Sequence, residues 1–412
     1  MSLIRAFPGL RPAAGRAEEV AAPPYDVMSG TEAREMVKDR PWSFLHISRS
    51  EVDLPLSVDP YAPEVYAKAA ENLATMRREG VLVEDSSDSY YIYRLTMGSH
   101  TQLGVVAVAS VEAYDNGRIK RHELTRPTKE QDRVNQISAL NAQTGPVFLV
   151  YPSDDRIDDL LSNAAEGDAA MDVTGSDGVR HQIWVLSDKT RITALTLLFE
   201  QLPALYVADG HHRSAAASRV AAERRAANPQ HTGEEPYNYF LSVIFPHKQT
   251  RILDYNRVVK DLNGMTGQQF LQAVSERFKV EAVDQPVKPE QTGQFGMYLE
   301  GCWYRLVLAP QRIPSTDPVA SLDVSLLANE LLDPMLGIID QRTDSRIDFV
   351  GGIRGLKALE QRVDSGDWAV AFALYPTSMT ALMAVSDAGQ IMPPKSTWFE
   401  PKLADGLISH LL

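Results

Sequence analysis

Two hydrophobic rhythms alternate along the chain, and they change every few tens of residues. Residues 60–80 carry apolar positions at helical spacing among Ala, Glu and Lys, and Gly80 supplies a stop. Tyr90–Leu95 and Leu103–Tyr114 are dense in aromatic and β-branched residues and predict strands. Asp115-Asn116-Gly117 follows the second of them. Asn-Gly favours positive φ at both turn positions, so it predicts a hairpin with a returning strand over Arg118–Thr125. Residues 129–142 then read as a helix. Gly145–Tyr151, Gln182–Leu186, Leu205–Ala208 and Tyr239–Phe245 read as strands, and the alanine-rich Ser214–Ala227 as a helix.

After about residue 260 a new unit is expected. It has a helix near 267–278, a hairpin at Gly296–Leu308, helices near 323–332 and 353–363, and a strand at Trp368–Tyr375. The first 60 residues are rich in turn formers such as Pro8-Gly9 and Pro23-Pro24-Tyr25-Asp26, and predict an irregular segment laid over a domain. The mixture implies an α/β or α+β fold. The expected division is 1–95 as an N-terminal segment, 96–260 as a catalytic core, and 261–412 as a C-terminal α/β domain contributing to the pocket.

Composition narrows the classes. At about 150 residues per domain, 412 residues predict two or three domains. Hydrophobic residues at 44% and charged residues at 23% are those of a globular protein, not a disordered or fibrous one. A net charge of −13 opposes a general nucleic-acid or anionic-membrane binder, though not a local basic pocket. Cys302 is the single cysteine, so no intrachain disulfide and no cysteine-rich zinc site is possible. No apolar run approaches the roughly 18 residues of a membrane span, and the N-terminus lacks a signal-peptide core. A cytoplasmic location is expected.

Several familiar motifs are missing. No G-x-G-x-x-G follows a strand, and no G-x-S-x-G elbow occurs. Gly389 to Ser396 comes near a phosphate-binding loop, but Pro394 stands where its second glycine would be and has no N–H to donate.

Three constellations remain. Asp209-Gly210-His211-His212-Arg213 sits where a strand gives way to a helix. A glycine turn into a helix start presents unpaired N–H groups and a positive dipole end, and the imidazoles and guanidinium add to an anion pocket. Asp209 would there hold a divalent cation or position a proton acceptor; the competing account has it capping the helix at Ser214. The second constellation is Arg118–Arg133. It holds six Lys and Arg against three Asp and Glu, a local +3 in an acidic chain, with His122-Glu123 inside it. Glu123 could accept a proton from a bound hydroxyl; an edge strand charged against aggregation is the alternative. The third is Met392–Lys402, with Lys395-Ser396-Thr397 after two prolines and Lys402 at its end, read either as phosphate donors or as a strand packing Trp398 and Phe399.

The pair H-E and D-G-H-H-R resembles the signature of the ParB/sulfiredoxin-like superfamily, in the branch that contains free serine kinases. The wider set FPGLRP, PPYDV, DNG, HELTRP, ADGHHR and PPKST resembles a large bacterial family of unknown function, some of whose members are implied to be serine kinases using pyrophosphate. The resemblance implies a ParB-like core with added α/β parts and a kinase that converts free L-serine to O-phosphoserine. His122, Glu123 and Asp209 would be catalytic, with Glu123 as base. Gly210, His211, His212, Arg213, Lys120, Thr125, Arg126, Lys395 and Ser396 would bind phosphates, and Asp209 would hold Mg²⁺. The donor would be pyrophosphate, or ATP or ADP. The substrates are small molecules, with no nucleic acid or membrane partner, and the additions allow a homodimer. The spacing from Glu123 to Asp209 exceeds that of a compact kinase core and implies an insertion. The alternatives are a nucleotide-binding regulatory module and a phosphohydrolase using the same pocket.

Overall fold

In the computed structural model, which describes residues 2–412, the aromatic and β-branched runs pair into a nine-stranded mixed sheet. Its strands are β1 (Ile4–Arg5), β2 (Tyr90–Met97), β3 (His100–Ser110), β4 (Ile119–Lys120), β5 (Val147–Tyr151), β6 (Met171–Thr174), β7 (Arg180–Leu186), β8 (Leu205–Asp209) and β9 (Tyr239–Pro246). They lie in the order β4-β8-β5-β9-β3-β2-β7-β6, with β1 paired to the far end of β3. The β4–β8 and β5–β9 pairs are parallel, and the others are antiparallel. Strands β5 and β9 are buried at every position, as strands covered on both faces must be.

Two helices adjoin the candidate motifs: α1 (Pro127–Leu140) and α2 (His211–Ala227). They share a small apolar seam of Val134, Ile137, Ala216 and Val220. Alanine on one side lets the helices approach closely while keeping helix propensity high. A proline opens α1 at its first turn, where its missing N–H costs nothing.

The expected hairpin at Asp115-Asn116-Gly117 does not form. β3 ends at Ser110, whose hydroxyl accepts the Ala113 N–H and caps a five-residue helix over Val111–Asp115. Asn116-Gly117 therefore closes a helix, with Gly117 at φ 81°, and does not reverse a strand. The returning strand shrinks to Ile119–Lys120, which pairs with β8 instead of β3. A local cap outcompetes the turn dipeptide, and this is what brings His122 beside β8.

The chain forms two compact units, Met1–Thr250 with Pro401–Leu412, and Arg251–Glu400. These differ from the boundaries expected at 95/96 and 260/261. Residues 4–12 and 82–84 pair into strands of the first unit, so the N-terminal segment is part of its sheet system. Residues 401–412 also return to that unit: Asp405 and Ala22 exchange backbone hydrogen bonds, as do Ser409 and Leu10. The second unit holds a six-stranded antiparallel sheet, containing the expected hairpin at Gln294–Leu299 and Cys302–Leu308. Its turn residues Glu300 and Gly301 both have positive φ, as a two-residue hairpin turn demands. The fold class is mixed α/β, as expected. Among the described residues no helix is long and apolar enough to cross a membrane.

Gly104 in β3 tests how tightly this sheet is packed. A Cβ there would lie 2.4 Å from the Ile244 carbonyl oxygen and 2.6 Å from the Phe245 ring, so backbone would have to move. Gly104→Ala is expected to destabilise the first unit by about 1–3 kcal/mol through overpacking. Urea denaturation followed by tryptophan fluorescence checks this; an unchanged midpoint would show that the sheet yields at no cost.

Candidate functional site

Strand β8 ends on Asp209, and one residue later the chain is in α2. The turn depends on Gly210, which sits at φ 97° in the left-handed region. A Cβ at that position would also lie 3.0 Å from Arg213 Nε. The parallel pairing of Ile119 with Leu205 and Lys120 with Tyr206 then delivers the following His122-Glu123 to the same end of β8. Two motifs far apart in sequence meet because a two-residue strand sets their register.

His122 and His211 pack edge to face, with ring centroids 4.5 Å apart and planes at 87°. They are 2% and 4% exposed. Nε2 of His211 has no hydrogen-bond partner, and the His122 ring has only a contact with the Val207 backbone that falls short of good hydrogen-bond geometry. Burial pushes His122 down to about 4. His211 is driven well below its ordinary value, by burial first and then by His122. Both imidazoles are therefore neutral at neutral pH. Glu123, half exposed, places Oε2 3.8 Å from His211 Nδ1. Donor atoms of His122, Glu123 and His211 all lie within 4.8 Å of one another.

Asp209 sits among positive charge. Its Oδ1 accepts the Gly210 N–H at 2.9 Å, and Oδ2 lies 3.6 Å from Arg213 Nη2 and 4.0 Å from Lys402 Nζ. Burial alone would raise this carboxyl, but Lys402, Arg213 and His211 outweigh it and hold it at about 2. The capping account fails: Asp209 bonds its immediate neighbour, and α2 has no side-chain cap. The expected Mg²⁺ on Asp209 also fits poorly, because a divalent cation there would face two fixed cations. The surroundings suit a permanently ionised carboxylate.

Arg213 is buried and donates through Nη1 to the Pro146 carbonyl oxygen. Beneath it a void of about 30 Å³, room for one water, is lined by Tyr25, Arg133, Gly145 and Asp405 among others. Arg133 stacks over the Tyr25 ring at 4.0 Å and is bound to Asp132. A larger cavity of about 260 Å³ is lined by Pro23, Pro24, Arg40, Asp177, His181 and Lys402 among others. Lys402 thus reaches Asp209 and also faces a space large enough for a small molecule.

The remaining expected residues take varied places. His212 accepts the Arg126 backbone N–H on Nε2 at 3.0 Å, so it ties the two motifs together as a neutral acceptor. Thr125 donates to Glu130 at the start of α1 and braces that loop. The Lys120 ammonium lies over the Tyr206 ring. Lys395 and Ser396 belong to the second unit, where Lys395 lies over the Tyr255 ring and Ser396 donates to the Pro393 carbonyl. Lys402, at the end of the third constellation, joins Asp209 where Lys395 and Ser396 do not, and Asp405 was missed as a site residue. Nothing in the local sequence ties either to the D-G-H-H-R turn, since a long-range return of the chain places them.

Residues 4–325 match the family described as "Protein of unknown function (DUF1015)". The chain belongs to this DUF1015 family. That is the family expected from the HELTRP and ADGHHR motifs, and it carries no assigned activity. No curated protein matches the chain. Among solved structures, a conserved hypothetical protein from Pyrococcus furiosus is 12% identical, with TM-score 0.34 over 74% of this chain and 95% of that one. A free serine kinase in complex with AMP is 10% identical, with TM-score 0.34 over 73% and 92%. SbnI with a C-terminal truncation, from Staphylococcus aureus, is 12% identical, with TM-score 0.38 over 74% and 87%. Overlaps this weak decide neither the fold nor the activity of a DUF1015 protein.

Asp405 gives this DUF1015 site a pH signature. Burial, with Asp26 nearby, pushes its carboxyl from 3.8 up to about 7 against the opposing pull of Arg213. The folded state then holds a proton that the unfolded state has released, so this group's contribution to stability falls as pH rises from about 4 to about 7. Asp405→Asn removes that loss. Its stability relative to the unaltered chain is expected to rise across this window, as read by denaturant melts at several pH values. A pH-independent difference would show that Asp405 is ionised throughout. His122 and His211 titrate with the opposite sign, but they are common to both chains and cancel.

Proposed function

We propose that the chain is a phosphotransferase that phosphorylates the hydroxyl of free L-serine. One observation carries the reading: Glu123 lies beside His211 of the D-G-H-H-R turn, and Lys402, which faces Asp209 of the same turn, also lines a cavity of small-molecule size. The motif resemblance supports it by naming the same two segments as parts of one centre.

In this reading the serine hydroxyl attacks the terminal phosphorus of the donor. The donor's bridging P–O bond breaks, a new P–O bond forms to serine, and Glu123 takes the hydroxyl proton. Pyrophosphate would leave as phosphate, and a nucleoside triphosphate as the diphosphate. Such reactions depend on placement and charge neutralisation more than on covalent catalysis. Lys402 and the first N–H groups of α2 meet the donor's negative charge. The neutral His122 and His211 give Glu123 a water-poor flank without competing for the proton. Arg213 is a positioning residue, because its guanidinium holds Asp209 and the turn. Mg²⁺ is expected to travel on the donor's own phosphate oxygens.

A screen of pyrophosphate, ATP and ADP against serine, threonine and water, read by mass, tests the reading. Phosphoserine is the expected product; phosphate release independent of serine would instead indicate a phosphohydrolase. Glu123→Gln is expected to lower turnover on the order of 10²-fold or more while donor binding persists; near-normal turnover removes Glu123 as the base. Lys402→Met is expected to raise donor KM on the order of tenfold with a smaller effect on kcat, as loss of a ground-state contact does. An unchanged KM would place the donor elsewhere.

A further inference from the structure

Two buried imidazoles in contact, with ring nitrogens left short of good hydrogen-bond partners, are an unusual concentration in one spot. A neutral imidazole carries one donor and one acceptor, and each is normally satisfied when water is excluded. Leaving such groups unpaired in a dry site is costly, because their hydration is not replaced. His211 leaves Nε2 unsatisfied, His122 has at most a poorly aligned contact with the Val207 backbone, and the rings touch. No serine or phosphate chemistry requires two adjacent buried imidazoles with vacant nitrogens.

The phosphotransfer reading uses these rings only as a flank. We infer that His122, His211 and Glu123 form a binding site for a borderline first-row divalent cation, of which Zn²⁺ is the type. The site has two imidazoles and one carboxylate, a set that such cations accept and that Mg²⁺, which prefers oxygen and retains its waters, does not. Donor atoms within 4.8 Å of one another need to close to roughly 3.3 Å for tetrahedral coordination at about 2.0 Å. Glu123 can make that movement: it lies in the loop between β4 and α1 and is half exposed. Three protein ligands leave a fourth position open on the exposed side of Glu123, the pattern of a metal that meets a ligand and not one that staples a fold. Among the described residues no other trio of His, Cys, Asp or Glu offers donors this close.

The inference goes beyond the phosphotransfer reading and does not rest on it. An ion on Glu123 would occupy an oxygen that the base needs, so the two roles of that carboxylate are in competition.

The test uses the full chain without an affinity tag, stripped by chelator, with neither serine nor donor present. Co²⁺ titration is read by its visible absorption, and Zn²⁺ by competition with a chromophoric chelator. One ion per chain is expected, with millimolar Mg²⁺ failing to displace it. Glu123→Gln, at a half-exposed position that leaves the core intact, is expected to raise the Kd at least tenfold, since loss of even an outer-shell partner costs that much. His211→Asn is expected to do the same. Absence of stoichiometric binding overturns the inference. So does full-affinity binding in both Glu123→Gln and His211→Asn, which would place the ion elsewhere. Because no turnover is measured, either result leaves the serine screen free to succeed or fail separately.

Discussion

A guanidinium withdrawn from water organises the first unit. Burying a charge costs several kcal/mol unless partners replace its hydration, and Arg213 obtains its partners from distant parts of the chain. Asp209 faces it from the end of β8, the Pro146 carbonyl accepts from it just before β5, and Gly145 packs against its stem. Asp26 adds negative potential from the N-terminal segment, and the Asp405 carboxyl, protonated up to about pH 7, adds a polar neighbour from residues 401–412. The turn at Gly210, the strand beside it and both chain-distal segments are bound to the same charge. This explains why an irregular, proline-rich stretch is well placed: it contributes counter-charge where a helix or strand would contribute only packing.

The electrostatics divide the site into two halves. On one side an ionised carboxylate is surrounded by cations; on the other, two imidazoles are kept neutral by exclusion of water. Only a few ångströms of chain separate Asp209 from His211, yet desolvation shapes their charge states differently. Asp209 has fixed cations to offset its burial, whereas His211 meets another imidazole. Glu123 stands at the boundary, with access to solvent on one face and to the neutral rings on the other.

Much of this was legible in the sequence, and the reasons for the gaps are specific. The long periodic elements, 63–78, 127–140 and 211–227, were evident because propensity and burial agree there. The D-G-H-H-R turn was legible because glycine between a strand and a helix has a single conformational purpose. Asn116-Gly117 misled because its local turn preference is weaker than the helix capped by Ser110, six residues earlier. Lys402 was legible only as the end of a candidate segment and Asp405 not at all, since their role arises from backbone pairing of residues 401–412 with Ala22 and Leu10 that no local pattern encodes. The segment around Lys395 looked richer in chemistry than it is in place, the Ser396 hydroxyl being committed to a neighbouring carbonyl.

The return of residues 401–412 bears on how the protein is made. During synthesis the D-G-H-H-R turn leaves the ribosome long before Lys402 does, with the whole of Arg251–Glu400 in between. Until then Asp209 lacks one of its two cations, Arg213 lacks the Asp405 carboxyl, and the edges at Leu10 and Ala22 are unpaired. A nascent chain can therefore shape the nine-stranded sheet early, but its charge balance closes only when the last dozen residues dock. The first unit is completed after the second has been translated, in the reverse of their order along the chain.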